Sequence, residues 1–72
     1  MQPDRVSVPN IVMDGILAVR ASGKTNMLDL PEVVRIAVEM DFIDAAVWIE
    51  SNRSSYSRGV ISGFRVVEGE TS

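Results

Sequence analysis

The segment DLPEVVRIAVEM, residues 29–40, has the spacing of an amphipathic helix together with a helix start signal. Asp29 can accept a hydrogen bond from an early backbone N–H, Glu32 can reach back in a capping-box arrangement, and Pro31 suits the first turn. Apolar side chains then recur with helical periodicity at Val33, Ile36, Ala37 and Met40. These features predict a helix from Leu30 to Met40 that buries one face.

A second helix is predicted before this segment, over residues 10–22. Asn10 is a competent N-cap, and positions i, i+4 and i+7 of one stripe are occupied by Val12, Ile16 and Val19. Gly23 suits the left-handed C-cap position. Gly15 costs about 1 kcal/mol relative to alanine inside a helix, so it marks either a close approach by a neighbouring helix or ligand, or a tolerated glycine.

The remaining helical pattern, residues 43–62, has two interpretations. It can be one helix that frays towards its end, or a shorter helix followed by a fourth helix that Ser54 caps and that runs from Ser55 to Ser62. The predicted fold is therefore all-α, a compact bundle of three or four helices.

The two ends of the chain carry weaker patterns than the middle. Residues 1–9 contain two prolines, and they are predicted to form a flexible N-terminal arm. Residues 10–64 form the predicted helical domain, and residues 65–72 form a C-terminal tail.

The composition restricts the chain to one small folded domain. Its 72 residues are 46% hydrophobic and 24% charged, with no cysteine and no histidine, so neither disulfides nor an ordinary zinc site supports the core. We therefore expect a homo-oligomer. The longest apolar run, Ala45 to Ile49, is too short for a membrane span or a signal-peptide core, which predicts a cytoplasmic protein without membrane contact.

The sequence gives little material for catalysis. With one lysine, one tyrosine and no histidine or cysteine, we expect no enzyme, no catalytic or metal-binding residues and no cofactor. Asp41 and Asp44 are explained by the helix dipole. The triplet Gly23-Lys24-Thr25 is that of a P-loop, but Ala18 stands where that motif needs glycine, so the triplet is interpreted as part of a turn.

A partial helix-turn-helix pattern covers residues 34–49. Ala37, Asp41 and Val47 follow its order of alanine, turn residue and apolar anchor, although Asp41 replaces glycine and Glu50 stands where an apolar residue is usual. The net charge of −3 disfavours nucleic acid, and residues 42–52 contain no basic side chain. A DNA-binding regulator stays an alternative, with phosphate contacts assigned to Arg53, Arg58 and Arg65.

The leading prediction is a protein-binding role. The third helix is apolar on most sides, which is typical of a helix that is central in a bundle or covered by another chain. The predicted partner-binding residues are Trp48, Tyr56, Asp44 and Glu50.

The segment ILAVRASGKTNMLD, residues 16–29, resembles the signature of a small phage and prophage family of unknown function. The similarity extends over residues 11–63 and includes Phe42 and Ile49-Glu50, whereas Asp41 stands where that family commonly has glycine. The resemblance implies a phage origin. By analogy with other short acidic phage proteins it also implies an interaction protein that binds a host or phage protein, with an anti-CRISPR or other anti-defence inhibitor as the sharpest form. A phage structural or packaging accessory is the other alternative.

Overall fold

The computed structural model describes residues 5–67 of the chain. Its elements, in chain order, are β1 (Val6–Pro9), α1 (Asn10–Ser22), α2 (Leu30–Glu39), α3 (Ile43–Ser51), α4 (Arg53–Ser62) and β2 (Phe64–Val67). The described part is mainly helical, with one small parallel sheet.

The first three helices pack through α3, which contacts both α1 and α2. Gly15 makes the approach of α1 to α3 possible, because a methyl group at Gly15 would overlap the side chain of Ala45. The glycine inside the first predicted helix therefore marks a neighbouring helix, and it is not merely tolerated. Gly23 ends α1 in the left-handed conformation, with φ of 66°, as predicted.

The predicted side-chain caps are wrong. Asp29 occupies the N-cap of α2 but makes no side-chain cap hydrogen bond, and α1 begins at Asn10 with Pro9 in the N-cap position. Glu32 does not reach back to the helix start, because its carboxylate accepts hydrogen bonds from Arg35 one turn later. A charge-assisted bond to an arginine is stronger than a bond to a neutral amide.

Helices α3 and α4 are separate, so the described part has four helices. Of the two interpretations of residues 43–62, the one with a separate fourth helix agrees with the structure and the single frayed helix does not. The break lies at Asn52, whose φ of −135° and ψ of 48° are not helical. The Asn52 side chain stabilises the break by donating a 2.9 Å hydrogen bond to the carbonyl of Trp48. The fourth helix begins at Arg53 rather than at Ser55.

The two strands correct the predictions of a purely all-α fold, a flexible N-terminal arm and a C-terminal tail. β1 and β2 are parallel, with Val6 opposite Phe64 and Pro9 opposite Val67. Val6 and Val8 are buried while the alternate residues of β1 are exposed, which is the two-residue period of a strand. Burial of the two valines holds residues 6–9 on the helices. Residues 1–4 and 68–72 of the predicted arm and tail lie outside the described residues.

The core is apolar, and its largest fully buried side chain is Tyr56. Within residues 5–67 no other polar or charged side chain is buried. The described helices include none that is long and apolar enough to cross a membrane.

Candidate protein-binding surface

Helices α2 and α3 leave a row of large aliphatic side chains exposed to solvent. Val38 is 50% exposed, Ile43 46% and Val47 59%. Between the two helices lies a shallow depression of about 290 Å³, which we call the α2–α3 groove. Its lining residues are Val34, Val38, Ile43, Ala46, Val47, Glu50 and Ser51.

The groove exists because each of the two helices has more apolar positions than the core covers. In α2 the buried residues are Val33, Ile36 and Ala37, which leaves Val34 and Val38 as an i, i+4 pair on the neighbouring face. In α3, Ile43 and Val47 form the equivalent pair.

A tight turn sets the angle between the two helices. Asp41 adopts a left-handed conformation with φ of 69°, and its N–H donates to the carbonyl of Val38 at 2.9 Å. The N–H of Phe42 donates to the carbonyl of Ala37 at 2.7 Å. The Phe42 side chain packs beside Gly15 of α1, so the turn is also fixed to the rest of the molecule.

The surface around the groove is acidic. Residues 29–52 contain six carboxylates and one arginine, a net charge of −5. Two cations outside this segment offset part of that charge, because Lys24 pairs with Glu39 and Arg53 pairs with Glu50. The arginine, Arg35, lies 2.8 Å from Glu32 and 3.4 Å from Glu39. Its hydrogen bond lowers the pKa of Glu32, and the same bond raises the pKa of Arg35. Asp41 and Asp44 have no ion-pair partner among residues 5–67, so they add negative potential to this face.

The predicted partner-binding residues fall into three environments. Asp44 and Glu50 are exposed on α3, and Glu50 lines one end of the groove. Trp48 is partly buried against the core and does not line the groove.

Tyr56 cannot contact a partner through its side chain, because it is fully buried. Its hydroxyl donates to the carbonyl of Met27, and burial raises the pKa of Tyr56 to about 12. An amphipathic tyrosine is common at interfaces, but this one finds its hydrogen-bond acceptor inside the fold. The aliphatic pairs of the groove, Val34 with Val38 and Ile43 with Val47, were not predicted as a surface. The excess of apolar positions in two short helices is the signal that indicates them.

The three arginines assigned to nucleic acid do not form one basic stripe along α4. Arg53 is paired with Glu50 at 3.3 Å. Arg58 follows five positions later, which places it about 140° around the helix from Arg53. Arg65 lies on β2. In the helix-turn-helix pattern, α3 would be the helix that reads DNA. It presents aliphatic and acidic side chains, which are poor ligands for phosphates and base edges.

The turn between α1 and α2 uses its polar groups to hold its own backbone. The side-chain oxygen of Asn26 accepts a 2.8 Å hydrogen bond from the N–H of Leu28, and the Ser22 hydroxyl accepts one from the N–H of Lys24 at 3.2 Å. Lys24 lies 3.7 Å from Glu39 of α2. These contacts support a structural role for the turn. Among the described residues, no group of three or more acidic side chains is placed to hold a metal ion.

A family model described as Domain of unknown function (DUF5049) matches residues 9–64. The chain belongs to the DUF5049 family. The DUF5049 match includes all four helices and the whole α2–α3 groove, whereas Val6–Val8 and Arg65–Val67 of the sheet lie outside it. This match is consistent with the resemblance of residues 16–29 to the signature of a family of unknown function. No curated protein and no solved structure matches the chain.

Proposed function

We propose that this chain is a non-enzymatic interaction protein that binds another protein through the α2–α3 groove. The observation that carries the proposal is the set of Val38, Ile43 and Val47, each about half exposed and all contributed by two adjacent helices. Isolated exposed aliphatic residues are ordinary, but a contiguous apolar patch with a charged rim is typical of a protein-binding site.

The charge around the groove supports a basic partner surface. Residues 29–52 carry a net charge of −5, of which Lys24 and Arg53 offset part, so the surface stays negative. It repels an acidic partner and attracts a basic one during encounter. The same charge disfavours direct binding of DNA, RNA or an anionic membrane through this face.

A more specific form of the proposal follows from the resemblance of residues 16–29 to the signature of a phage and prophage family. In that form the chain is phage-encoded, acts in the cytoplasm of the host and inhibits a host protein, such as a component of a CRISPR or other defence system. Its acidic groove surface then occupies a basic surface that the host protein uses for nucleic acid. Self-association remains a prediction, and analytical ultracentrifugation of the purified chain tests it.

The test begins with affinity capture from nuclease-treated host lysate, followed by calorimetric titration of the identified partner in purified form. We expect the double variant Val38→Gln, Val47→Gln to bind at least tenfold more weakly, because both changes remove apolar contact without adding charge. Both residues are exposed, so the variant keeps the fold, which circular dichroism checks.

Ile61 provides the matched control. It is 77% exposed on α4 and does not line the groove, so Ile61→Gln should bind as the unmodified chain does. Equal affinities for all three proteins would refute the α2–α3 groove as the binding surface. Recovery of nucleic acid alone would favour the regulator, and recovery of nothing except stable higher oligomers would favour the structural accessory.

A further inference from the structure

The two sides of the α2–α3 groove are formed by similar rows of side chains. Val34 and Val38 lie one turn apart on α2, and Ile43 and Val47 lie one turn apart on α3. The bottom of the groove lies below these side chains because Ala46, which lines it, is small and buried. A trough between two helical ridges accepts a single row of side chains spaced i, i+3 or i+4, i+7, as when an amphipathic helix lies in a groove.

The length of the groove sets how much of such a helix is recognised. Its lining residues on α3 run from Ile43 to Ser51, which corresponds to roughly 12 Å along the helix axis at 1.5 Å per residue. Three apolar side chains over two turns of a partner helix fill this length. A longer segment of the partner helix would have to extend past Glu50, where the lining residues of the groove become polar.

The charge pattern selects among amphipathic helices. Asp44 and Glu50 stand on either side of Val47 in α3, and Asp41 lies in the turn that joins α2 to α3. A helix whose apolar stripe is bordered by lysine or arginine places cations next to these carboxylates. A second copy of this chain brings another segment of net charge −5 to the same place, so electrostatic repulsion opposes self-pairing through the groove.

From this geometry we infer that the occupant of the α2–α3 groove is a basic amphipathic helix of the partner protein, which inserts three apolar side chains between α2 and α3. Its flanking cations pair with Asp44 and, in competition with Arg53, with Glu50. The inference rests on the proposed function, because it names the partner structure that the same surface recognises.

The probe is a fluorescein-labelled peptide of about 18 residues, or five turns, with leucines on one helical face and lysines elsewhere. One control peptide has the same composition with the leucines distributed around the helix, and another has glutamate in place of every lysine. Fluorescence anisotropy is measured near physiological ionic strength so that long-range charge attraction is screened. We expect the Leu/Lys helix to bind at least tenfold more tightly than either control, with amide shift changes in the NMR spectrum confined to α2, α3 and their turn.

The protein variants locate the binding. Val38→Gln with Val47→Gln should weaken the Leu/Lys helix at least tenfold, while Ile61→Gln leaves its affinity unchanged. Asp44→Asn with Glu50→Gln should weaken it several-fold and reduce its salt dependence, because two interfacial charges are lost.

Equal binding of the permuted peptide would overturn the inference, since charge alone would then explain the affinity. Changes in NMR amide shifts centred outside α2 and α3 would also overturn it. So would a dimer of this chain that dissociates when Val38 and Val47 are both replaced by glutamine, because the groove would then be occupied by a second copy. If the captured partner depends on Val38 and Val47 while the Leu/Lys helix does not bind, the proposed function stands and the helical occupant is refuted. If the captured partner is indifferent to Val38 and Val47, the proposed function itself fails.

Discussion

The hydroxyl of Tyr56 donates a 2.6 Å hydrogen bond to the backbone carbonyl of Met27. This bond joins α4 to the turn between α1 and α2, two segments that are 29 positions apart in the chain. The tyrosine ring is fully buried, so one side chain both fills the core and satisfies a carbonyl of a segment without regular structure.

Replacement of Tyr56 by phenylalanine should destabilise the protein by about 1–2 kcal/mol, because the Met27 carbonyl loses its donor while the ring still fills the core. Hydrogen exchange at the N–H groups of Leu28 and Asp29 should accelerate, since their turn is no longer tied to α4. Urea unfolding and amide exchange measure the two effects. Ser54→Ala, an exposed change in the same helix, is the control. An unchanged exchange rate in Tyr56→Phe would show that the bond does not restrain the turn.

Burial of Tyr56 also predicts a specific loss of stability at high pH. The folded pKa is about 12, whereas an unfolded tyrosine ionises near 10. Below pH 10 both states keep the proton and this group contributes no pH dependence. Between pH 10 and 12 only the unfolded state releases the proton, so the free energy of unfolding falls by roughly 2–3 kcal/mol in total.

The phenolate absorbance of the folded protein reports the ionisation directly, because the chain has one tyrosine. Unfolding of Tyr56→Phe over the same pH range subtracts the contribution of other groups. A folded-state midpoint near pH 10 would contradict the burial argument.

The close approach of α1 to α3 predicts that Gly15→Ala is destabilising, although alanine is the better helix former. The added methyl would overlap Ala45 and lie 3.0 Å from the Cβ of Phe42. We expect a loss of about 1–3 kcal/mol, typical of overpacking. Ala45→Gly combined with Gly15→Ala should recover part of that loss. A double-mutant cycle from urea unfolding measures the coupling, and strictly additive effects would refute the contact.

The turn between α2 and α3 predicts a stabilising change. Asp41 has a φ of 69°, a conformation that glycine adopts without steric cost. Asp41→Gly should therefore stabilise the protein by about 0.5–1 kcal/mol, and Asp41→Val should destabilise it by more than about 1 kcal/mol. Asp44→Gly removes the same charge from the first turn of α3, where glycine should destabilise the protein by up to about 1 kcal/mol. Thermal unfolding compares the three variants. Equal changes in melting temperature for the two glycine variants would mean that the lost charge, rather than the backbone conformation, causes the effect.

Helices α1 and α2 were predicted from local pattern almost to the residue. The structure gives Asn10–Ser22 against a prediction of residues 10–22, and Leu30–Glu39 against a helix that ended at Met40. The reason is that apolar periodicity, the proline in the first turn and the C-cap glycine all act within a few residues of one another. Local pattern leaves the separation of α3 from α4 open, because Asn52 has an ordinary helix propensity and the bond that stabilises the break, to the Trp48 carbonyl, is not visible in the sequence.

The strands and the surface were not accessible to the same reasoning. β1 is stable because Val6 pairs with the Phe64 region at the other end of the chain, and no local pattern in four residues reveals such a partner. The assignment of Tyr56 to the core and of Val47 to the surface depends on which helix covers which face. Local pattern in the chain predicts helices α1 and α2 and the helical character of residues 43–62, and the composition gives the excess of carboxylates over residues 29–52. Which apolar residues are buried and which remain exposed in the α2–α3 groove follows from the packing of the helices, because the packing angles are imposed by contacts between distant parts of the chain.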